Sequence, residues 1–359
     1  MFIGEVDPIK EGIVLRMMWK EILEQPRVIS NCLEINRSKF LEIVSKIKEQ
    51  GISSVLIAAR GTSDHAAVYG KYLIEILTGL PVSLAAPSVF TVYKKTLKLR
   101  NSLVIGISQS GKDLDVLEVI KAAKEEGAIT VSITNFEDSA LAREAKYHLF
   151  CACGEENSVA ATKTFSSQMF LLANLTALWS GDAKLTAALL ELPLKIEETF
   201  KVAEEIQVKI GRYRFMNECF ILARGINYAI ALEASLKIQE TSYVRASAYA
   251  TSDFHHGPYA MIHKNMPVFI FAPKGETLEE VWEMVLKLKE EEADITIISD
   301  VDELLEMGSC AFKIPPCDND FISPFINVVV AQMLACKLSV EKGLDPDSPR
   351  GLKKVTLTK

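Results

Sequence analysis

The stretch SVLIAARG at residues 54–61 decides the fold of this chain. Its apolar, β-branched run ends at an arginine and a glycine, and helical spacing of apolar residues follows, so the stretch predicts a strand, a turn and a helix. The pattern returns at LVIGISQSG (103–111) and again at AITVSITN (128–135). Strands and helices that alternate at this spacing predict an α/β fold with a parallel sheet and crossover helices.

The second half of the chain repeats this order of elements. The corresponding segments are ECFILARG (218–225), PVFIFAPKG (267–275) and DITIISD (294–300). Gly61 and Gly225 are 164 positions apart, and so are Gly111 and Gly275. Two independent pairs at one offset predict a tandem duplication of one domain.

The duplication divides the chain into four predicted segments. They are an N-terminal helical extension (1–30), a first domain (31–181), a linker helix with a second domain (182–340), and a C-terminal tail (341–359).

The composition is that of a globular protein. Of its 359 residues, 49% are hydrophobic and 24% are charged, enough to bury an ordinary core. A net charge of −7 argues against a broad basic surface for nucleic acid. No apolar stretch reaches spanning length and the first residues do not resemble a secretory signal, so we expect no membrane partner. Seven cysteines without a metal-ligand spacing predict reduced thiols in a cytoplasmic protein.

Two turns of the first copy are rich in hydroxyl groups. They are Gly61-Thr62-Ser63 and Ser108-Gln109-Ser110-Gly111, whereas the second copy has Gly-Ile-Asn and Ala-Pro-Lys-Gly. Serine and glycine are common in ordinary turns for conformational reasons, which is the alternative interpretation. Because both turns follow strands of one parallel sheet, they are expected to meet at its carboxyl edge, where a small phosphate can bind backbone N–H groups and hydroxyls.

A helix of the second copy carries three charged residues on one face. Glu233, Lys237 and Glu240 are spaced by four and then by three. A solvated stripe of ion pairs is the ordinary explanation. The surrounding sequence ALEASLKIQETSY is too apolar and small for a typical exposed helix, so the three charges are also candidates for a partly buried functional group.

The segment His255-His256-Gly257-Pro258 is a candidate for proton transfer, because histidine titrates near neutral pH. A metal site is disfavoured, since adjacent histidines point differently and no further ligand follows at a suitable spacing. A loop whose histidines only pack or face solvent remains an open alternative.

Together these stretches resemble the sugar isomerase (SIS) domain family. The resemblance is to its double-domain members, the isomerase half of glucosamine-6-phosphate synthase and the isomerising glucosamine-6-phosphate deaminases. The motifs that carry it are KEILEQP (20–26), GTSDHA (61–66), SQSG (108–111), SVAATKTF (158–165), ARGINYAIALEASLKIQETSY (223–243), HGP (256–258) and PRGLKK (349–354). The resemblance implies two flavodoxin-like domains, each a parallel sheet flanked by helices.

The same resemblance assigns roles to residues of this chain. The implied contacts to the substrate and its phosphate are Gly61, Thr62, Ser63, Ser108, Gln109, Ser110, Glu233 and the backbone near Val159. The implied catalytic residues are Glu240 as the base between sugar carbons 1 and 2, Lys237 beside it, His256 for ring opening and the tail residue Lys354. In the family the histidine comes from the neighbouring subunit, which implies a homodimer with a shared site.

Two positions depart from the family pattern. Asp113 stands where the synthase has a threonine, which places a carboxylate near the expected phosphate, although Lys112 beside it is a possible compensation. Ala161 stands where the synthase has a serine.

The chemistry implied by the resemblance is an aldose–ketose interconversion that needs no metal or nucleotide cofactor. With a 2-amino sugar, the proton shift gives an imine that water hydrolyses, and the expected reaction is glucosamine 6-phosphate to fructose 6-phosphate and ammonia. Deamination is favoured because the SIS-like region starts soon after Met1, without a glutaminase segment. The alternatives are an isomerase or deglycase of another phosphosugar or sugar-amine adduct, and a non-catalytic sugar-phosphate sensor, which would not need Glu240, His256 and Lys354.

Overall fold

The computed structural model describes residues 16–354, so the outer parts of the predicted N-terminal extension and C-terminal tail lie outside the described residues. The strands are β1 (Ser54–Ala58), β2 (Val82–Leu84), β3 (Ser102–Ile107), β4 (Ile129–Thr134), β5 (Tyr147–Phe150), β6 (Glu218–Ala223), β7 (Arg245–Ala250), β8 (Pro267–Phe271), β9 (Asp294–Ser299) and β10 (Cys310–Lys313).

The helices alternate with these strands in both halves. They are α1 (Met17–Leu23), α2 (Gln25–Gln50), α3 (Thr62–Thr78), α4 (Ser88–Thr91), α5 (Leu114–Glu125), α6 (Ala140–Glu144), α7 (Lys163–Ser180), α8 (Ala183–Thr199), α9 (Val202–Lys209), α10 (Tyr228–Ser242), α11 (Thr251–Phe254), α12 (Leu278–Glu290), α13 (Asp302–Leu305) and α14 (Ser323–Glu341). Short 3₁₀ turns occupy Ile210–Tyr213, Gly225–Asn227 and Pro258–Met261.

The two sheets have the same topology. The first has the order β2-β1-β3-β4-β5 and the second, read from the same edge, β7-β6-β8-β9-β10. All pairs are parallel. This is the flavodoxin-like order 2-1-3-4-5 used twice. The predicted α/β fold with two tandem parallel-sheet domains is therefore confirmed.

Two corresponding helices of the copies form the centre of the molecule. In α7 every residue from 163 to 177 is buried, and in α14 every residue from 323 to 336. Helix α7 packs against α2 and α3, while α14 packs against α10 and α8. By length and composition α14 alone among the described helices could span a membrane, but 89% of its apolar window is buried inside the protein, as in a core helix.

The N-terminal region forms two helices that break at Glu24. Pro26 lies in the first turn of α2, where its missing N–H costs no helical hydrogen bond. Helix α2 then continues to Gln50 and packs against α7 and α8. It crosses the border predicted between residues 30 and 31, and the division into four segments stays a prediction.

One contact between the domains positions the site. Helix α10 of the second domain packs against α3 of the first. Helix α3 begins at the turn that follows β1. The charged face of α10 is thereby brought to the carboxyl edge of the first sheet.

Candidate active site

A cleft of about 350 Å³ lies at the carboxyl ends of β1 and β3. This volume is in the range of small-molecule sites. Its walls come from six parts of the chain: the two hydroxyl-bearing turns, the loop before α7, the start of α7, helix α10 and the tail. The lining residues are Arg60, Gly61, Thr62, Ser63, Ile107, Ser108, Gln109, Ser110, Asp113, Val159, Ala161, Thr164, Phe165, Gln168, Lys237, Glu240, Leu352, Lys353 and Lys354.

The two predicted turns converge on one end of this cleft. Ser63 and Ser108 are buried at the ends of β1 and β3. The Ser63 Oγ accepts a hydrogen bond from Gln168 Nε2 at 3.0 Å, and the Ser110 Oγ accepts one from the Lys112 N–H at 3.3 Å. Because both hydroxyl oxygens act as acceptors here, their protons remain free to be donated to an anion in the cleft.

The second turn depends on a glycine. Gly111 has φ of +61°, a region that L side chains rarely adopt. A Cβ at this position would lie 2.2 Å from the Ser139 Oγ. Ser139 caps α6 through a hydrogen bond from the Ala142 N–H. The turn therefore sits tightly against the neighbouring strand end, and this closeness holds its serines in place.

Lys237 is the centre of the charged face of α10. Its side chain is fully buried, and its Nζ lies 2.6 Å from Glu240 Oε2, 3.4 Å from Glu233 Oε1 and 3.0 Å from Thr62 Oγ1. Burial disfavours the charged amine, but the two carboxylates outweigh it and raise the pKa of Lys237. Lys237 therefore remains a cation at neutral pH, next to the carboxylate of Glu240.

Glu240 faces the cleft, whereas Glu233 lies behind Lys237. The Glu240 side chain is 22% exposed, and that of Glu233 is fully buried. Glu233 does not line the cleft; its oxygens accept from Thr62 Oγ1 at 3.3 Å and contact His65 Nδ1 at 2.8 Å. The three charges share one face, as their spacing predicts, but the structure brings only Lys237 and Glu240 to the cleft.

The tail closes one side of the cleft through Lys354. Its Nζ donates to Glu156 Oε2 at 2.8 Å and to the Ser158 carbonyl at 2.8 Å. Glu156 is buried and also accepts from the Thr162 and Thr164 N–H groups. Burial opposes its charge, but Lys354 and these donors outweigh it and lower the pKa of Glu156. A buried anion thus holds the predicted tail lysine at the cleft.

A second carboxylate fastens the tail to the N-terminal helix. Asp347 accepts from the N–H groups of Met17 and Met18 at 2.8 and 2.7 Å. Both amides belong to the first turn of α1, where an acidic group is favoured by the helix dipole. The carbonyl of Asp347 also accepts from the Val159 N–H at 3.4 Å. Val159 lines the cleft as predicted, but its backbone donor is engaged by the tail.

Asp113 lines the cleft and caps α5, which begins at the next residue. Its carboxylate accepts from the Asp115 N–H at 3.2 Å. Desolvation, with a contribution from Asp115, raises the pKa of Asp113. Arg60 lies on the same wall and binds Asp115 at 2.6 Å. A cation and two carboxylates therefore flank the end of the cleft where the serine turns meet.

His256 does not line the cleft of its own chain. It follows α11, is exposed, and donates its backbone N–H to the Asp253 carbonyl. The other predicted residues line the cleft, with Glu233 as the second exception. The sequence analysis missed Gln168, Glu156 and His65. GTSDHA contains His65, but its partner Glu233 is 168 residues away, and no local pattern links them.

The side chains that line the cleft offer two different functions at two places. One end offers hydroxyl donors to an anion. The middle offers the Glu240 carboxylate as a proton acceptor with the Lys237 ammonium beside it, and such a pair suits proton transfer next to a developing negative charge.

Comparison with known proteins identifies relatives along nearly the whole chain. The family model described as the SIS domain matches residues 50–178 and again 216–342. A glutamine–fructose-6-phosphate aminotransferase (isomerizing) of Aquifex aeolicus is 36% identical over 347 residues, which cover 96% of this chain and 58% of that relative. The chain spans about three fifths of the length of the curated relatives it matches.

Solved structures agree with the fold. A protein described as a proposed phosphosugar isomerase of Silicibacter pomeroyi superposes with a TM-score of 0.84 at 30% identity, covering 92% of this chain and 100% of that one. The C-terminal domain of a glucosamine-fructose-6-phosphate aminotransferase of Francisella tularensis also superposes with a TM-score of 0.84, at 27% identity, covering 93% of this chain and 98% of that one.

Proposed function

The chain belongs to the SIS domain family, and on that premise we propose that it is a phosphosugar isomerase that acts on an amino sugar. One observation carries the proposal. The hydroxyl-bearing turns of the first domain and the Lys237–Glu240 pair of the second domain line the same cleft. A ligand with an anionic end and a reacting end a few atoms away matches this arrangement.

The phosphate is proposed to bind at the serine turns. Ser63, Ser108 and Ser110 supply hydroxyl donors there, and the turns lie at strand ends, where backbone N–H groups also face a ligand. Arg60 also lines the cleft, with its charge shared with Asp115 at 2.6 Å. This orientation places the sugar carbons toward α10.

Glu240 is proposed to move the proton between carbons 1 and 2. It is the carboxylate of α10 that lines the cleft, and a base must lie within hydrogen-bond reach of the proton it removes. Removal of the carbon 2 proton from the open-chain amino sugar puts negative charge on the oxygen of carbon 1 as a 2-amino enolate forms. Lys237 and Lys354, two of the cations that line the cleft, are proposed to stabilise this charge.

The amino sugar is proposed to be glucosamine 6-phosphate. The Aquifex relative is named for an amino transfer involving fructose 6-phosphate, and this chain is similar to it along 96% of its length. Moving a proton from carbon 2 to carbon 1 of the amino sugar leaves an imine at carbon 2. Addition of one water then releases one ammonia and gives fructose 6-phosphate. When the amino sugar is the sole substrate added, mass action favours this direction.

The active unit is proposed to be a cytoplasmic homodimer. His256 is exposed and does not line its own cleft, so we propose that it opens the sugar ring in another subunit. A mixture of Glu240→Gln and His256→Ala chains then regains activity, because every dimer with one chain of each kind holds one intact cleft. All seven cysteines are buried free thiols, as expected in a reducing compartment.

The test is to mix purified protein with glucosamine 6-phosphate and measure ammonia and fructose 6-phosphate together. Release of both in equal amounts supports the deaminase. Uptake of solvent deuterium at carbon 1 or 2 without ammonia supports a different phosphosugar isomerase. Saturable binding without either event contradicts the enzyme and points to a sensor.

Two variants test the assigned ends of the cleft. Glu240→Gln is expected to lower turnover at least 100-fold and to leave substrate binding intact. Ser110→Ala is expected to weaken binding of the phosphorylated sugar about tenfold and to leave the affinity for the unphosphorylated sugar unchanged. Normal turnover in Glu240→Gln would show that Glu240 is not the base. Unchanged affinity for the phosphorylated sugar in Ser110→Ala would show that the phosphate does not bind at this turn.

A further inference from the structure

We propose that His65 is a positioning residue that keeps the Lys237 ammonium beside the Glu240 carboxylate; this inference rests on the proposed function. His65 lies in the first turns of α3 in the first domain. It does not line the cleft. Its side chain is 17% exposed and also borders a groove between α10 and β7.

The proposal starts from an unequal sharing of Lys237 between two carboxylates. Lys237 Nζ lies 2.6 Å from Glu240 but 3.4 Å from Glu233, although Glu233 is the more deeply buried of the two. A buried carboxylate needs compensation more than a partly exposed one. Something other than Lys237 must therefore satisfy Glu233.

His65 supplies that compensation. Its Nδ1 lies 2.8 Å from Glu233 Oε2, closer than either Lys237 or Thr62 comes to the other oxygen. An ionised carboxylate only accepts hydrogen bonds, so Nδ1 must carry the proton and donate it. Glu233 is thus held from two sides, with Thr62 and Lys237 at Oε1 and His65 at Oε2.

The consequence for catalysis follows from what happens when His65 is removed. Oε2 of the fully buried Glu233 loses its donor, and the nearest cation is Lys237. Moving toward Glu233, the ammonium leaves Glu240 and Thr62. The base then lacks its neighbouring cation in the transition state, whereas Ser63 and Ser110, which are proposed to bind the phosphate, keep their contacts to Gln168 and Lys112.

The experiment compares three substitutions of His65 in the full chain. His65→Ala removes the donor. His65→Gln places an amide where Nε2 stood, and His65→Asn places an amide donor close to the position of Nδ1. We expect His65→Ala and His65→Gln to lower kcat about 10- to 100-fold with KM within about twofold of the wild type. His65→Asn is expected to recover most of kcat.

The pattern of kcat and KM separates positioning from other roles. Wild-type kcat in His65→Ala overturns the inference, and so does a rise in KM at unchanged kcat, which indicates contact with substrate. Equal loss in His65→Asn and His65→Ala, with thermal stability kept, also overturns it, since the Nδ1 donor is then not the cause.

A structural readout keeps this inference separate from the proposed function. If the wild-type chain turns over no sugar phosphate, a crystal structure of His65→Ala still tests the positioning. Lys237 Nζ closer to Glu233 than to Glu240 supports it. An unchanged Lys237–Glu240 contact refutes it, whatever the substrate is.

Discussion

The substitution Glu156→Gln removes the charge that holds the tail at the cleft. The Glu156 Oε1 atom accepts from two backbone N–H groups, while Oε2 accepts from the Thr164 hydroxyl and from Lys354. A glutamine can keep the Oε1 contacts. Its amide nitrogen, however, points donors at the Lys354 ammonium, which then retains only the Ser158 carbonyl. The perturbation therefore falls mainly on the docking of the tail, because the Thr164 hydroxyl can accept from the new amide in place of donating to Oε2.

The magnitude follows from the contact that is lost. A hydrogen bond between charged groups contributes about 1.5–3 kcal/mol. Lys354 is 25% exposed, so water recovers part of that loss and the lower end applies. About 1.5 kcal/mol corresponds to roughly tenfold weaker docking of the tail.

The assay is hydrogen exchange of the tail amides between residues 344 and 354, followed by mass spectrometry, together with KM for the sugar phosphate. Faster exchange by about tenfold, with a higher KM, is expected for Glu156→Gln. Glu155→Gln is the matched control, because the Glu155 side chain is exposed and its carbonyl, which binds Lys163, is unchanged. Wild-type protection of the tail in Glu156→Gln refutes the reasoning.

The same contact should depend on pH in a defined direction. The pKa of Glu156 is lowered in the folded protein, so its stabilising contribution is complete at neutral pH. It is lost as pH falls below about 4.3, the ordinary value for glutamate, and through the lower folded pKa. Tail protection in the wild type should therefore approach that of Glu156→Gln in acid, while the two differ at pH 7.

Three further substitutions test individual features of the cleft. Gly111→Ala is expected to lower the free energy of unfolding by about 3 kcal/mol or more, because the new Cβ would lie 2.2 Å from the Ser139 side chain. Gly127→Ala is the control, since Gly127 has φ of +82° but open space around it, and its free energy of unfolding should fall by only about 1 kcal/mol. Thermal unfolding measures both. Asp113→Thr keeps a side chain that can cap α5 but replaces a carboxylate that can only accept hydrogen bonds. The affinity for the sugar phosphate, measured by calorimetry, should therefore rise about 3- to 10-fold. A lower affinity would show that Asp113 helps to bind the ligand. Gln168→Glu replaces the amide that donates to Ser63 with a carboxylate that accepts, so the serine proton turns toward the carboxylate and away from the cleft. The affinity for the sugar phosphate should then fall about tenfold. An unchanged affinity would show that Ser63 does not bind the phosphate.

The sequence predicted the fold well because its signals are local and repeated. The apolar runs that start near residues 54 and 218 have the length and composition of buried parallel strands, and each is followed by helical spacing. The serine turns were predictable for the same reason, since the ends of neighbouring parallel strands meet at one edge. Lys237 and Glu240 were predictable because polar residues are conspicuous in a helix of small apolar ones.

The remaining parts of the site arise from contacts between distant segments. Glu156 meets Lys354 across 198 positions, and His65 meets Glu233 across 168. No periodicity or turn rule connects such pairs, because their proximity is set by how α10 and the tail pack on the first domain. The spacing of Glu233 likewise predicts which face of α10 it occupies, but not how deeply its side chain is buried. In the structure the side chain is fully buried behind Lys237.

The two copies of the domain differ at the turn that follows β3, residues 108–111, and the corresponding turn that follows β8, residues 272–275. In the first copy this turn opens into the cleft. In the second, the side chain of Asp320 packs against Gly275, where an added Cβ would lie 1.7 Å from Oδ1, and its other oxygen accepts from the Glu276 N–H at 2.9 Å. An anion from solution would have to displace a carboxylate that is covalently part of the chain and so has a high effective concentration. In the second copy the turn is therefore satisfied by a carboxylate of the same chain, whereas in the first copy its serines line the cleft, to which α10 of the second copy adds Lys237 and Glu240.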